Sequence, residues 1–197
     1  MTHHGPVTRI ISGEAGGRRL RTPSGEGTRP TSDRVREALF SSLEARGAVE
    51  GAHVMDLYAG SGALGLEASS RGAASVLLVE SDKNASATIR ANISELGVAG
   101  ARLLSGTVEQ ALARPASLHY DLVIADPPYD VTEESLATVL EMLLAHQWLA
   151  PEPTIVVERS ARSPEPTWPD GIVREGSKAY GETVLWFATR VAPDYQI

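Results

Sequence analysis

The sequence predicts one doubly wound α/β domain whose sheet is mostly parallel, with one antiparallel strand, preceded by a short basic arm. The length is the first observation, because 197 residues suit a single domain with a sizeable core. Strand and helix signals alternate regularly from Ala52 onward, which is typical of parallel strands joined by crossover helices. The strands are also near-continuous apolar runs, as expected when helices cover both faces of a sheet.

The strands are predicted from apolar and β-branched runs that are bounded by turn residues. Six of them are His53–Tyr58, Ser75–Glu80, Arg102–Ser105, Asp121–Ala125, Thr154–Arg159 and Thr183–Thr189. The proline-rich stretch 160–181 predicts a loop and a short antiparallel strand near Ile172–Glu175. A sheet of seven strands follows.

Helices are predicted between these strands and before the first one. Apolar residues spaced by four over Val35–Leu43 predict a helix that is capped by Thr31 or Ser32 and ends near Arg46. Four further helical patterns are Ala63–Ser70, Asp82–Leu96, Val108–Ala113 and Glu133–Leu149.

The composition excludes several classes of protein. The chain has no cysteine, so it has no disulfide and no cysteine-ligated metal centre. Its five histidines are scattered without ligand spacing, and we therefore expect no metal site. No apolar run reaches the ~18 residues that read as a membrane span. We expect a cytoplasmic protein without membrane association that acts as a monomer.

The charge is distributed unevenly along the chain. The formal net charge is −7, yet seven arginines outnumber three acidic residues over Thr8–Arg36. Residues 1–30 are predicted to form an arm with a hairpin of Arg9–Ser12 and Arg18–Thr22, and residues 31–197 the main domain. Arginine forks match phosphate oxygens, although solvated charges on an exposed hairpin would give the same composition. The candidate phosphate contacts are Arg9, Arg18, Arg19, Arg21, Arg29, Arg34 and Arg36.

A glycine turn follows the first predicted strand. Gly60, Gly62 and Gly65 have the G-x-G-x-x-G spacing, and Glu80 ends the second strand. Glycines allow the backbone to approach a ligand closely, and the following helix presents free N–H groups. An acidic residue at the end of the second strand suits the ribose hydroxyls of an adenosine. The pattern predicts a nucleotide-like cofactor.

Asp56 favours one cofactor over the others. A carboxylate just below the turn repels a pyrophosphate, whereas it attracts the ammonium and sulfonium groups of S-adenosylmethionine. A capping role for this carboxylate is the alternative interpretation. The candidate cofactor residues of this region are Asp56, Tyr58, Ala59, Gly60, Ser61, Gly62, Glu80 and Ser81.

The fourth predicted strand ends in Asp126-Pro127-Pro128-Tyr129, at the edge where such sheets bind ligands. The Asp126 carboxylate and the Pro127 carbonyl can each accept one N–H of an exocyclic amine, which points its lone pair at a methyl donor. The two prolines stiffen the backbone and add no N–H donor. Tyr129 can stack on a base that has left its own stack. These four residues are the candidate catalytic residues, and Asp126 also borders the cofactor site. A proline-stiffened loop without chemistry is the alternative interpretation.

The third strand is followed by Gly106 and Thr107, where many such enzymes place an aspartate against the adenine amine. Thr107 or a backbone group is expected to serve that contact here.

Taken together, these residues resemble the bacterial 16S ribosomal RNA guanine-N2 methyltransferases of the RsmD type. The resemblance covers nearly the whole chain and rests on Arg9–Gly13, Gly17–Leu20, Arg29–Glu37, Asp56–Glu67 and Asp126–Tyr129. It implies a class I, Rossmann-like methyltransferase fold with S-adenosylmethionine as cofactor. It also implies methylation of guanine 966 of 16S rRNA, within an assembled or assembling small ribosomal subunit.

The resemblance assigns roles to individual residues as well. It implies that Asp56, Gly60, Gly62 and Glu80 line the cofactor site, that Asp126–Tyr129 hold the target amine, and that the arginine arm faces RNA. Tyr129 stands where some members of the family have Phe, which preserves stacking.

Three other functions remain compatible with parts of the sequence. An adenine-N6 methyltransferase shares the Asp-Pro-Pro-Tyr chemistry, which fits any exocyclic amine. An NAD-type oxidoreductase is favoured by the glycine spacing alone, and a non-catalytic RNA-binding module by the arginine arm alone.

Overall fold

The computed structural model describes residues 8–23 and 32–191. Seven strands form one sheet: β1 (His53–Leu57), β2 (Ser75–Glu80), β3 (Ala101–Ser105), β4 (Tyr120–Ala125), β5 (Leu149–Ser160), β6 (Ile172–Tyr180) and β7 (Thr183–Arg190). Five helices accompany them: α1 (Asp33–Ala45), α2 (Ala63–Ser70), α3 (Lys83–Leu96), α4 (Val108–Leu112) and α5 (Glu133–Ala145). The predicted fold class is confirmed.

The strand order is β3-β2-β1-β4-β5-β7-β6. Strands β1 to β5 pair in parallel, and β7 pairs antiparallel with both β5 and β6. The antiparallel strand is therefore the last one in the chain. The strand predicted near Ile172–Glu175 is confirmed as β6, which pairs antiparallel with β7, although β7 and not β6 runs opposite to the parallel strands. The order reverses between β1 and β4, which opens a crevice at their carboxyl ends.

Helix starts follow the expected capping chemistry. The Ser32 hydroxyl accepts from the Val35 N–H as the N-cap of α1, and Asp82 and Thr132 cap α3 and α5 in the same way. The residues after β2 and β4 thereby turn into helices at the edge that carries the candidate site, whereas α2, which follows β1, begins after Gly62 without a side-chain cap.

One predicted boundary differs from the structure. Helix α5 was expected to reach Leu149 but ends at Ala145, because Gln147 adopts a left-handed conformation with φ +59°. The Gln147 and Trp148 N–H groups then donate to the carbonyls of Leu144 and Leu143, which is a Schellman motif. The chain can therefore enter β5 at Leu149, five residues earlier than predicted.

The sheet separates two apolar clusters, as expected for a sheet covered on both faces. One contains Val54, Leu78 and Ile124 together with α1, α2 and α3 residues. The other contains Met55, Val79 and residues of α4 and α5. The alternation of adjacent strand residues between the two clusters reflects the period of two along a strand.

The N-terminal arm packs on the first of these clusters. Ile10, Ala15 and Leu20 are buried in it with α1 and α2. The predicted two-stranded hairpin is not confirmed: the segment reverses direction, but only one antiparallel bridge, Arg9 to Arg19, forms. Its backbone makes a few hydrogen bonds within the segment, such as Ile10 N–H to the Arg18 carbonyl, and others to side chains of the main domain. The predicted domain boundary at residue 30 lies outside the described residues.

Among the described residues, no helix is long and apolar enough to cross a bilayer.

Candidate active site

Three acidic side chains lie at or near the carboxyl ends of three adjacent strands, β2, β1 and β4. Asp56 lies near the end of β1, Glu80 ends β2, and Asp126 follows β4 directly. Because β2, β1 and β4 are adjacent and parallel, their carboxyl ends meet at one edge. The structure therefore brings together the carboxylates that the sequence singled out, at the point where the strand order reverses.

The turn after β1 is held in a shape that suits glycine at the first two glycine positions. Gly60 and Gly62 have φ values of +57° and +82°. A Cβ on Gly62 would approach Leu78 to 3.0 Å, and one on Gly65 would approach the Asp56 Oδ2 to 3.0 Å. The second and third glycines are thus required for close packing of α2, whereas the space beside Gly60 is open.

Asp56 is almost fully buried, with 1% of its surface exposed. Its Oδ2 accepts from the Gly65 N–H at 2.8 Å, and its Oδ1 has no hydrogen-bond partner in the described structure. Burial raises the pKa of Asp56 to about 7, the Gly65 hydrogen bond opposes this, and the charges of Asp126 and Glu80 add to it. The site therefore holds an acid that titrates near neutrality and responds to any cation brought beside it.

Glu80 fixes the loops on both sides of it. Its Oε2 accepts from the Gly60 N–H at 2.7 Å and its Oε1 accepts from the Asp82 N–H at 2.7 Å. Each carboxylate oxygen keeps a second lone pair for a ligand hydroxyl. The glycine turn and the start of α3 are thus tied to one acidic side chain.

The Asp-Pro-Pro-Tyr segment extends beyond β4. The Asp126 N–H donates to the Leu57 carbonyl at 3.4 Å, so the segment begins beside the end of β1. Pro127 is buried, whereas Pro128 is exposed and Tyr129 is 82% exposed. The Tyr129 side chain is thus largely open to solvent. Ala59 and Ser61, the other turn residues predicted at the site, are partly buried beside it, and Ser81 is exposed after β2.

Gly106 and Thr107, the residues predicted near the cofactor adenine, make local hydrogen bonds at the end of β3. The Thr107 hydroxyl accepts from the Gln110 N–H at 3.2 Å, and the Gln110 side chain bonds back to the Thr107 N–H in a capping box. The Gly106 N–H donates to the Glu80 carbonyl at 2.9 Å. Both residues lie at the carboxyl edge of the sheet, where the Thr107 hydroxyl caps α4 and the Gly106 N–H bonds to the end of β2.

The predicted RNA-binding arginines divide into two groups. Arg9, Arg19 and Arg34 are exposed. Arg18 donates to the Leu96 carbonyl at 2.6 Å and to the Glu95 carbonyl, which are at the end of α3. Arg29 lies outside the described residues.

Arg36 and Arg21 hold the arm in place. Arg36 is fully buried, where it donates to the Arg9 carbonyl and to Asp33, and burial lowers its pKa. Its expected role as a phosphate contact is wrong for this conformation, because no part of its side chain reaches the surface. Arg21 pairs with Glu95 and remains exposed.

Three buried polar residues that the sequence reasoning did not single out anchor the arm. The Glu67 carboxylate accepts from the Ile11 N–H at 2.7 Å and the Ser12 N–H at 3.0 Å. The Ser70 hydroxyl accepts from the Ala15 N–H at 2.9 Å. A sequence signal exists for both, because Glu67 and Ser70 are polar residues in a short helix, α2, whose first four residues are apolar or glycine.

Asn92 links the arm to the glycine turn. Its side chain accepts from the Arg21 N–H at 2.8 Å and donates to the Arg21 and Ser61 carbonyls, each at 3.0 Å. Asn92 lies one turn from Ile89 on the apolar face of α3, and a polar residue on such a face is the signal that could have found it.

The donor set fits S-adenosylmethionine. Asp56 offers a buried oxygen without a partner, and the charges of Glu80 and Asp126 reach it, so the edge attracts an organic cation. Over residues 8–23 and 32–191, no three histidine or carboxylate side chains are arranged to hold a metal ion. The residues that would hold the cofactor are Asp56, the turn at Gly60 and Glu80.

Fold and site together define the class: the protein is a Rossmann-like methyltransferase that uses S-adenosylmethionine. The solved structure of yhhF from Escherichia coli superposes with a TM-score of 0.82 at 35% identity, covering 95% of this chain and all of that one (100%). An RNA methyltransferase from Salinibacter ruber, solved in complex with S-adenosyl-L-homocysteine, shares the fold with a TM-score of 0.63 at 18% identity, covering 84% of this chain and 97% of that one.

Sequence comparison gives the family. The chain belongs to the family described as Conserved hypothetical protein 95, whose model matches residues 8–189. It is 39% identical over 184 residues to ribosomal RNA small subunit methyltransferase D of Escherichia coli strain K12, which covers 93% of this chain and 90% of that protein. The match includes the arm and the main domain.

Proposed function

We propose that this protein methylates the exocyclic N2 amine of a guanine in 16S ribosomal RNA, with S-adenosylmethionine as the methyl donor. The observation that carries the proposal is the position of Asp126-Pro127-Pro128-Tyr129 at the same sheet edge as the Asp56 carboxylate. The relative from Escherichia coli, named as a small-subunit rRNA methyltransferase, supports the nucleic-acid class. The RsmD-type resemblance supports guanine 966 and a small-subunit particle as substrate.

The Asp-Pro-Pro-Tyr segment orients the amine. An exocyclic amine of a base is a weak nucleophile, because its lone pair is delocalised into the ring. The Asp126 carboxylate and the Pro127 carbonyl accept its two N–H bonds, so the lone pair is turned out of the ring plane. As the nitrogen takes the methyl group, the bond between that methyl and the donor sulfur would break, and the Asp126 carboxylate would stabilise the positive charge that passes to the nitrogen. The nitrogen would then give one N–H proton to Asp126, which releases it to solvent.

The other residues of the site bind the cofactor, the target base and the RNA backbone. S-adenosylmethionine supplies an electrophilic methyl group on a sulfonium. Asp56 faces its cationic groups and Glu80 its ribose hydroxyls, while Tyr129 stacks on a base that has been turned out of its helix. The exposed Arg9, Arg19 and Arg34 contact phosphates.

A product analysis tests the proposal. Small ribosomal subunits from a strain that lacks this modification are incubated with the protein and with labelled S-adenosylmethionine, and the RNA is digested to nucleosides. We expect label in N2-methylguanosine at one position. Label in N6-methyladenosine would instead establish the adenine-N6 alternative, since the Asp-Pro-Pro-Tyr chemistry fits both amines.

Naked 16S rRNA and free DNA serve as the matched substrates. Methylation of the subunit but not of the naked RNA would identify the particle as the substrate. No methylated nucleoside on any of the three would overturn the proposal.

A further inference from the structure

Four buried polar atoms without a hydrogen-bond partner in the described structure belong to residues just after β1, at the start of α5, on β5 and on β7. They are the Tyr58 hydroxyl, the Glu133 Oε2, the Arg159 Nε and the Trp186 Nε1. Buried polar atoms are nearly always paired in folded proteins, so each such atom calls for an explanation. Four in one region point to a polar ligand.

Glu133 and Arg159 form the centre of this group. Arg159 Nη2 donates to the Glu133 Oε1 in an ion pair, and the Arg159 side chain is 9% exposed. Each partner thus uses one atom in the pair and retains another, the Glu133 Oε2 as an acceptor and the Arg159 Nε as a donor.

The pair lies beside the Asp-Pro-Pro-Tyr segment. Ala125 of β4 is opposite Val157 of β5, and two residues beyond each of them are Pro127 and Arg159. Glu133 begins α5, which follows the same segment along the chain. The ion pair therefore joins the two elements that border the segment.

Tyr58 and Trp186 complete the group. Tyr58 directly follows Leu57, which is opposite Ala125 in the sheet, and Ala125 is opposite Val157. Burial and the Glu109 charge raise the pKa of Tyr58 to about 12, and the Arg159 charge opposes the rise. Trp186 of β7 is opposite Val157 of β5, and Arg159 is opposite Val184, two residues away along β7. Trp186 is therefore a diagonal neighbour of Arg159 on the same face of the sheet, within reach of a long side chain. Both side chains pack on the second apolar cluster.

We propose that Glu133 and Arg159 recognise the guanine: the Glu133 carboxylate accepts from its N1–H and the Arg159 guanidinium donates to its O6. This inference rests on the proposed function, because it assumes that the N2 amine is held by Asp126. A guanine presents donor, donor and acceptor in the order N2, N1, O6. Asp126, Glu133 and Arg159 present acceptor, acceptor and donor, which is the complementary series.

The same series rejects adenine. When the N6 amine of adenine is held by Asp126, the adjacent ring atom is N1, which is an acceptor and is repelled by a carboxylate. A site with buried groups that match one base disfavours the other because those groups would be left unpaired. The pair thereby supplies the discrimination that Asp-Pro-Pro-Tyr lacks.

Entry of the base requires the segment 128–132 to move outward, since the unpaired atoms are covered. Pro128 and Tyr129 at its start are exposed, and the Val131 N–H donates to the Pro128 carbonyl within the segment itself at 3.0 Å. The segment can therefore shift as one turn between its fixed ends.

The test replaces the target guanine by 2,6-diaminopurine in a reconstituted small subunit. Diaminopurine keeps the 2-amine but carries an acceptor at N1 and an amine in place of O6. For the wild-type protein we expect methylation of guanine to exceed that of diaminopurine. In Glu133→Gln the amide can donate to N1 of diaminopurine, and we expect the ratio of kcat/KM values, guanine over diaminopurine, to fall about tenfold or more.

Glu134→Gln is the matched control, because Glu134 is the next residue of the same helical turn and is exposed. We expect its ratio to equal that of the wild type. Arg159→Lys keeps the charge without the planar fork, and we expect it to lower kcat/KM for guanine more than for diaminopurine. Thermal unfolding and S-adenosylmethionine affinity are measured for every variant to separate loss of fold from loss of recognition.

If Glu133→Gln and Arg159→Lys lower kcat/KM equally for guanine and diaminopurine, so that the ratio is unchanged, the proposal is overturned. The ion pair would then only stabilise the fold. A wild-type protein that methylates adenine, or that methylates neither subunit, would instead refute the proposed function on which this inference depends.

Discussion

The buried polar groups beneath the arm have hydrogen-bond partners in the arm, whereas some of those at the carboxyl edge of the sheet have unpaired atoms among the described residues. Beneath the arm, Glu67, Ser70 and Asn92 bond to arm backbone. At the carboxyl edge, Asp56 and Arg159 each keep a buried atom without a partner in the described structure. A satisfied buried network stabilises and specifies a fold, whereas an unsatisfied one costs free energy until a ligand completes it. The first region therefore serves mainly stability, and the second mainly function.

Arg36 is the exception that limits this contrast. It lies beneath the arm, yet its Nε and Nη1 have no hydrogen-bond partner among the described residues, although the Glu67 Oε2 is 3.9 Å from the Nε. The charge is compensated by Glu67 and Asp33 rather than fully bonded. The anchoring of the arm thus depends on charge as well as on hydrogen bonds.

The largest expected effect separates activity from stability at the carboxyl edge. Asp126→Ala removes one of the two acceptors that orient the amine, and we expect kcat to fall by about 10³-fold with little change in the melting temperature. Single-turnover methylation and thermal unfolding measure the two quantities.

Asp130→Ala is the control for this variant, because Asp130 is an exposed carboxylate four residues further along the same segment. We expect near wild-type activity from it. Equal losses in both variants would mean that the segment, and not the Asp126 acceptor, determines the rate.

The next effect is on stability beneath the arm. Glu67→Ala leaves Arg36 without its buried counter-charge, breaks the Arg71 ion pair and frees two arm N–H groups. We expect the free energy of unfolding to fall by about 3 kcal/mol or more, measured by urea denaturation.

The exposed Glu37 of α1 provides the comparison for Glu67, since Glu37→Ala removes a carboxylate that is not buried. We expect a change of about 0.5 kcal/mol or less. If both substitutions cost the same, the arm is not held by the Glu67 carboxylate.

The site was more predictable from the sequence than the arm, for physical reasons. The carboxyl ends of parallel strands meet at one edge, so Asp56, Glu80 and Asp126 could be brought together from strand order alone. The arm has no such rule. Arg36 can face either RNA phosphates or the protein core, depending on whether the arm covers its side of α1. The one sequence signal for the core is the apolar Phe40, which lies one turn after Arg36 on the same side of the helix and is buried in the structure.

The direction of β6 could not be predicted either. Its short apolar signal near Ile172 shows a strand, but orientation depends on where β7 pairs, and that is a long-range contact. The partnerless atoms of Glu133 and Arg159 were also beyond the sequence, because an ion pair between residues 26 apart leaves no periodic pattern.

A further effect, which is spread over about three pH units, concerns the pH dependence of Asp56. Its pKa is about 7 in the folded protein and near 3.8 in the unfolded chain, so the folded state binds the extra proton between these values. Stability therefore falls as the pH rises through this window, by at most about 1.4 kcal/mol per pH unit. Asp56→Asn removes the titration while its amide oxygen can still accept from Gly65.

We accordingly expect the difference in unfolding free energy between the wild type and Asp56→Asn to decrease from about pH 4 to about pH 7 and then to level off. Cofactor affinity of the wild type follows the opposite direction, because the ionised carboxylate attracts a cation. A pH-independent difference would show that Asp56 is ionised throughout.

The smallest effect distinguishes exposed arm residues from anchored ones. Arg19 and Arg34 are exposed, whereas the Arg18 guanidinium is bonded to carbonyls at the end of α3. Replacing Arg19 and Arg34 by Gln removes up to two phosphate contacts, and the slope of log Kd for RNA against log salt concentration should become shallower by about 1.4. Arg18→Gln should leave that slope unchanged and lower the melting temperature instead. The reverse pattern would mean that Arg18 leaves its carbonyls when RNA binds, and the arm would then belong with the carboxyl edge as a region that a ligand completes.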